Sequence, residues 1–239
     1  MSELMYTVEK NCPLCTKEFK TTKVRNNLAM LKQDTDFCTY YKEVNPYYYA
    51  IWVCPNCGYA VQDTYITETL MPVGEQRIRD FLKGKQVKAD FSGVRTREQA
   101  VATYKLAIFY AEMSLTLASR LASLYLKLAW LYREGKQEKE EQAVLRKSLE
   151  YYEKAAIKEQ FPIGNMTEIT LQYLMGELYR RTGRLDDALS YLGKVVSDPL
   201  AKGEKRLLEM ARDAWHLAKE DKKRMDEAVA AAVENDQKN

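Results

Sequence analysis

The sequence predicts an α+β chain: a small β-rich module at the amino terminus, followed by an all-α helical array. Three observations lead to that class. All five cysteines, at positions 12, 15, 38, 54 and 57, lie in the first quarter of the 239 residues. The same stretch is poor in Leu, Ile and Val and carries the β-forming run Tyr47-Tyr48-Tyr49-Ala50-Ile51-Trp52-Val53. From Thr96 onward, apolar residues recur at helical spacing between Gly and Pro punctuation.

Four of the cysteines form two pairs, Cys12-Pro13-Leu14-Cys15 and Cys54-Pro55-Asn56-Cys57-Gly58. Two intervening residues make a tight turn that points both sulfurs at one ion, and two such turns supply a tetrahedral set. The proline after the first cysteine presets each turn, and Gly58 relieves the Cβ clash where the chain leaves the second. Residues 1–70 therefore read as a zinc-ribbon-like module with Cys12, Cys15, Cys54 and Cys57 as ligands. Iron is the lesser alternative, because the string CPNCGY at 54–59 also looks like a rubredoxin knuckle and thiolates accept either metal. Unligated or redox pairs are the other reading. Four sulfurs leave no open coordination position, so the site is expected to be structural. Cys38 is expected to be a small buried hydrophobe, with a substitute ligand or reactive thiol as alternatives.

Along the chain, Asn45-Pro46 marks a turn, and the run from Tyr47 to Val53 is expected as one strand. Its alternation would put Tyr47, Tyr49, Ile51 and Val53 on one face. Asp34-Thr35-Asp36 reads as a polar turn, and the cluster Tyr40, Tyr41, Tyr47, Tyr48, Tyr49 and Trp52 as packing rather than a base-stacking surface. Residues 71–95 read as a connector with a short helix at about 75–83. Lys83, Lys85, Lys88, Arg95 and Arg97 make it locally basic, as a solvated linker. Helices are predicted at about 96–117, 120–134, 138–158, 167–182, 185–197 and 203–233, with Gly135 and Gly183 at two ends. Residues 234–239 are expected to fray.

Within 96–233, the spacing of Leu174, Gly176, Tyr179, Gly183, Ala188, Leu192 and Val195 matches a tetratricopeptide-like hairpin. A degenerate copy around Leu128, Trp130, Tyr132 and Gly135 precedes it; a generic helical bundle is the alternative. Small residues at 176 and 188 would let paired helices approach closely. Stacked hairpins make a groove, and in this register Trp130, Arg133, Tyr173, Glu177 and Arg180 would line it. Aromatic rings and guanidinium groups suit a protein or peptide partner with an acidic group. The competing reading makes the rings core residues and the arginines solvated.

Most of residues 5–220 resemble a bacterial family of unknown function, domain-of-unknown-function family 2225. The resemblance is carried by CPLC (12–15), DTDF (34–37), NPYYYAIWVCPNCGYA (45–60), LKLAWLYRE (126–134) and the hairpin at 174–196. It implies a cytoplasmic bacterial protein with a metal-binding amino-terminal half and a helical-repeat carboxyl half. It supplies no catalytic residues.

The remaining chemistry is sparse. Lys+Arg 37 against Asp+Glu 34 gives +3, too balanced to announce nucleic acid. Residues 1–70 hold seven Lys/Arg and eight Asp/Glu, whereas phosphate binding needs a surplus of cations. No apolar run is long enough for a membrane span, and no signal peptide is visible. Nucleophile elbow, Walker A, G-x-G-x-x-G and H-E-x-x-H motifs are missing, and the single histidine, His216, has no evident catalytic partner. The expected function is a non-enzymatic, zinc-containing interaction protein whose helical groove binds a protein or peptide. A nucleic-acid-binding ribbon is the alternative, and a metal-dependent enzyme a third reading if the site proves open. The oligomeric state is not legible.

Overall fold

A computed structural model describes residues 3–85, 87 and 89–236. Lys88 of the basic connector and residues 237–239 of the expected tail lie outside the described residues. Packing divides the chain into two compact units, residues 1–151 and 152–239.

The first unit opens with three two-stranded antiparallel sheets. Strand β1 (Met5–Asn11) pairs with β2 (Glu18–Val24), β3 (Met30–Gln33) with β4 (Thr39–Tyr41), and β5 (Ile51–Val53) with β6 (Ala60–Gln62). The first and third hairpins are each closed by a cysteine knuckle, Cys12–Lys17 between β1 and β2 and Cys54–Tyr59 between β5 and β6. The α+β class is thus the observed one, with the cysteines grouped among small sheets and seven α-helices following among the described residues.

One expected element takes another form. The run from Tyr47 to Val53 is not a single strand: Pro46–Tyr49 form a 3-10 turn, and only Ile51–Val53 are extended. Pro46 sits at the first position of the turn and the Asn45 side chain accepts from the Tyr47 N–H at 3.0 Å. Local capping therefore overrides β propensity, and Ile51, Trp52 and Val53 are all buried rather than alternating.

Helix α1 (Pro72–Leu82) begins with Pro72 where the missing N–H costs nothing. Helix α2 (Arg97–Met113) starts from a reciprocal capping box between Thr96 and Gln99. Helices α3 (Ala118–Glu134) and α4 (Glu138–Lys158) follow. Ile51, Trp52, Val53, Tyr59 and Ile78 share one buried core with Tyr104, Ala107 and Tyr110 of α2 and with Leu121, Leu124 and Leu128 of α3. Burying a side chain of this size contributes roughly 1.5–3 kcal/mol. The short strands thus share their apolar core with α2 and α3.

Arg95 departs from the solvated-linker expectation. It is 4% exposed, and its guanidinium donates to the carbonyls of Phe91, Tyr48 and Ile51 at 2.7, 3.0 and 2.6 Å. It ties the connector to the turn before β5, and burial lowers its pKa to about 10.

In the second unit, α5 (Glu168–Arg181), α6 (Leu185–Ser197) and α7 (Lys205–Asp236) pack in sequence. A Cβ at Gly176 would meet Leu192 Cγ at 2.7 Å, so glycine sets the close approach of α5 and α6. Helix α7 extends through residues expected to fray at 234–236.

Candidate metal centre

The two knuckles share one backbone design. In the first, Cys12 N donates to Lys17 O at 3.0 Å and Thr16 N to Cys12 O at 2.9 Å. In the second, Cys54 N donates to Tyr59 O at 2.9 Å and Gly58 N to Cys54 O at 2.8 Å. Each therefore closes with the same pair of bonds, and each leaves through a left-handed residue, Thr16 at φ 61° and Gly58 at φ 79°. Glycine meets that demand freely, whereas a residue with a Cβ loses about 1–2 kcal/mol there. Sequence reading found Gly58 and missed Thr16, because threonine carries no signal for this conformation.

These turns bring four sulfurs together from distant parts of the chain. The ligand atoms of Cys12, Cys15, Cys54 and Cys57 all lie within 4.8 Å of one another. Cys12 Sγ is 3.6 Å from Cys57 Sγ, and Cys15 Sγ is 3.7 Å from Cys54 Sγ. A tetrahedron with metal–sulfur bonds of about 2.3 Å has edges of about 3.8 Å, so the spacing fits a single ion bound by four thiolates. Cys12 and Cys54 are buried, at 2% and 1% exposure. Thiols this crowded cannot all ionise: hydrogen bonding to Cys54 pushes Cys12 up to about 12, hydrogen bonding to Cys12 pushes Cys57 up, and Cys54 is held low by the hydrogen bonds it accepts. A divalent cation removes that conflict by stabilising every thiolate at once.

Cys38 stands apart from the four and is 3% exposed. Burial pushes its thiol up to about 12, consistent with a small apolar side chain rather than a nucleophile. Beside it lies a polar network that sequence reading did not find. Asp36, fully buried, accepts from Arg133 Nη2 at 2.6 Å, Arg133 Nη1 at 3.0 Å and Trp130 Nε1 at 3.1 Å. Arg133 also reaches Asp34 Oδ2 at 3.0 Å and Glu141 Oε1 at 2.7 Å. Burial opposes the Arg133 charge, but its bonds to Asp36 and Glu141 outweigh it and raise the pKa. Tyr40 donates to Asp34 Oδ2 at 2.9 Å. The Asp34-Thr35-Asp36 segment is the expected polar turn, and it clasps α3 through Trp130 and Arg133, with Arg133 in turn reaching Glu141 of α4.

The five residues expected along a helical groove are turned to internal use. Trp130 is 8% exposed and packs its ring 4.9 Å from that of Tyr47, while Arg133 is held by the three carboxylates. In the second unit, Tyr173 and Glu177 are fully buried. Glu177 accepts from both Arg180 and Arg181, and Arg180 also bonds Asp221 at 2.8 Å. A partner could reach Tyr173 or Glu177 only by opening the unit that buries them. The physical reason is their register: on α3 and α5 these positions fall on the faces that the chain's own carboxylates and apolar neighbours cover. His216 is exposed on α7.

No helix among the described residues is long and apolar enough to cross a membrane. A family model described as "Uncharacterized protein conserved in bacteria (DUF2225)" matches residues 5–218. No curated protein and no solved structure matches.

Proposed function

The chain belongs to that uncharacterized bacterial family, and we propose that this member is a non-enzymatic interaction protein built around a structural zinc ion. The observation carrying the reading is the group of four sulfurs with edges of 3.6 and 3.7 Å. Filling all four positions of a tetrahedral ion with cysteine leaves none for water or substrate, which favours a structural over a catalytic metal. Zinc is favoured over iron because it binds four thiolates without redox chemistry. The thiols must stay reduced to bind, which suits the cytoplasm.

Partner binding is the second part of the proposal. It is supported by large apolar side chains that remain exposed in the first unit, Met71 at 62%, Leu115 at 56% and Leu117 at 53%. Protein is preferred over nucleic acid because residues 1–70 carry seven cationic against eight acidic side chains.

Elemental analysis and X-ray absorption at the metal edge, on protein purified without added metal, test the core of this reading. One zinc with four sulfur neighbours is the expected result. Three sulfurs plus a lighter ligand, or iron, would overturn it and reopen enzymatic or redox chemistry.

A further inference from the structure

Two sulfur contacts at the metal centre run between the knuckles. Cys12 Sγ lies 3.6 Å from Cys57 Sγ, and Cys15 Sγ lies 3.7 Å from Cys54 Sγ. Each of these couples joins a buried cysteine, Cys12 or Cys54, to a partly exposed one, Cys57 or Cys15. A reagent arriving from water therefore meets Cys57 or Cys15 first, with a second sulfur already in contact. A solvent-accessible thiolate beside a resolving cysteine is the arrangement of a redox-responsive pair. Cys38 is buried and stands outside both couples.

We propose that peroxide oxidation exchanges the ion for two disulfides across the knuckles, Cys12–Cys57 and Cys15–Cys54. In the first couple the Cys57 thiolate attacks a peroxide oxygen: an S–O bond forms, the O–O bond breaks, and the departing hydroxide is protonated to water. The Cys12 thiolate then attacks the sulfenic sulfur: an S–S bond forms, the S–O bond breaks, and a second hydroxide is protonated. The two sulfurs lose two electrons and the peroxide gains them. Cys15 and Cys54 repeat the exchange with a second peroxide. Only thiolates hold the metal, so it leaves. Geometry favours bonds between knuckles over bonds within them. Each knuckle is already fixed by two backbone hydrogen bonds, and a bond inside it would rework that turn. A bond between knuckles draws the sulfurs from contact to about 2.05 Å by closing one hairpin on the other. The links join the same hairpins that the ion joined, through residues 45 and 39 positions apart. Oxidation thus removes the metal and keeps β1–β2 tied to β5–β6, whereas chelation removes the metal and frees them. The proposal rests on the structural-zinc reading.

The test uses the zinc-loaded full chain, with zinc and its sulfur neighbours measured before any oxidant is added. Hydrogen peroxide is then titrated in, and the product is quenched in acid, alkylated and digested with trypsin. Two equivalents of peroxide, one for each bond, are expected to release the zinc. Trypsin leaves the two knuckles on separate peptides, residues 11–17 and 43–77. These are expected in one linked species, with fragmentation placing Cys12 on Cys57 and Cys15 on Cys54. Hydrogen exchange should find β1, β2, β5 and β6 protected in the oxidised chain and open in the chelated one. Unlinked peptides with internal disulfides, the opposite pairing, or a link to Cys38 overturn the proposal. So does zinc release with sulfinic or sulfonic acid in place of disulfides, or an oxidised chain that exchanges as fast as the chelated one. A chain that never held zinc on four sulfurs sinks both readings; one that holds it and fails the map sinks this inference alone.

Discussion

The segment from β1 to β6 and the hairpin of α5 and α6 reach order by different routes. Strands β4, β5 and β6 have three residues each; cysteine knuckles join the β1–β2 and β5–β6 hairpins, and Asp34 and Asp36 of the β3–β4 turn clasp Arg133. The α5–α6 hairpin has no cysteine ligands, and its ion pairs to Glu177 come from Arg180 and Arg181 of the same helix; Leu171, Leu174, Leu178, Ala188 and Leu192 are buried along helical stripes around a close approach at Gly176. Segments too short to bury much apolar surface depend on a few strong, directional links. Segments long enough to present a stripe depend on many weak ones. The first kind fails by losing one link, the second by losing fit.

The largest effect should come from the metal ligands. In zinc-finger peptides the ion contributes about 10–16 kcal/mol, so Cys54→Ser or a chelator should unfold the knuckles and expose the first unit to hydrogen exchange. The α5–α6 amides should stay protected. A Cys54→Ser protein with native metal content and an unchanged melting curve would break the comparison. Next in size is Arg133→Ala, which strands the buried Asp36 carboxylate and should cost about 3 kcal/mol in a denaturant titration. Arg133→Lys should recover only part of that, because lysine cannot span both oxygens of Asp36.

Gly176→Val sharpens the comparison from the other side. The added side chain meets Leu192, and overpacking of this kind should cost about 2 kcal/mol, with loss of protection confined to the second unit and metal content unchanged. The smallest effect is acid sensitivity. Burial works against the Asp34 charge, but hydrogen bonds from Tyr40, Lys32 and Arg133 prevail and hold its pKa below the usual range. Its contribution is therefore fully present above pH ~4 and is lost as pH falls through the lowered value. Denaturant midpoints between pH 7 and pH 3 should show that loss, and Asp34→Asn should flatten it.

Local information was legible in the sequence and long-range information was not. Helices at 138–158 and 185–197 were placed at their observed ends, because charge, glycine and apolar spacing all speak within a few residues. The knuckles were equally plain, and two of them imply a shared ion without any knowledge of the path between. The clasp was invisible, since Asp36 and Arg133 are 97 positions apart and nothing in the strings that hold them, DTDF and LKLAWLYRE, says that they pair. The burial of Trp130 and Tyr173 was out of reach for the same cause: periodicity shows that they share faces with other residues, but not what covers those faces. Arg95 looked like linker charge because nothing nearby in sequence announces the three carbonyls that receive it.

With an ion bound, residues 15–54 form a closed ring, and without one they are part of an open line. In the chain-entropy description, closing a ring of this length removes about 4 kcal/mol of disorder from the unfolded ensemble. Unlike a disulfide, this closure opens without electron transfer, by dilution or competition alone. The topology of the polypeptide thus becomes a function of how much free metal surrounds it, and the chain that emerges in a metal-starved cell differs from the folded one before any contact is made.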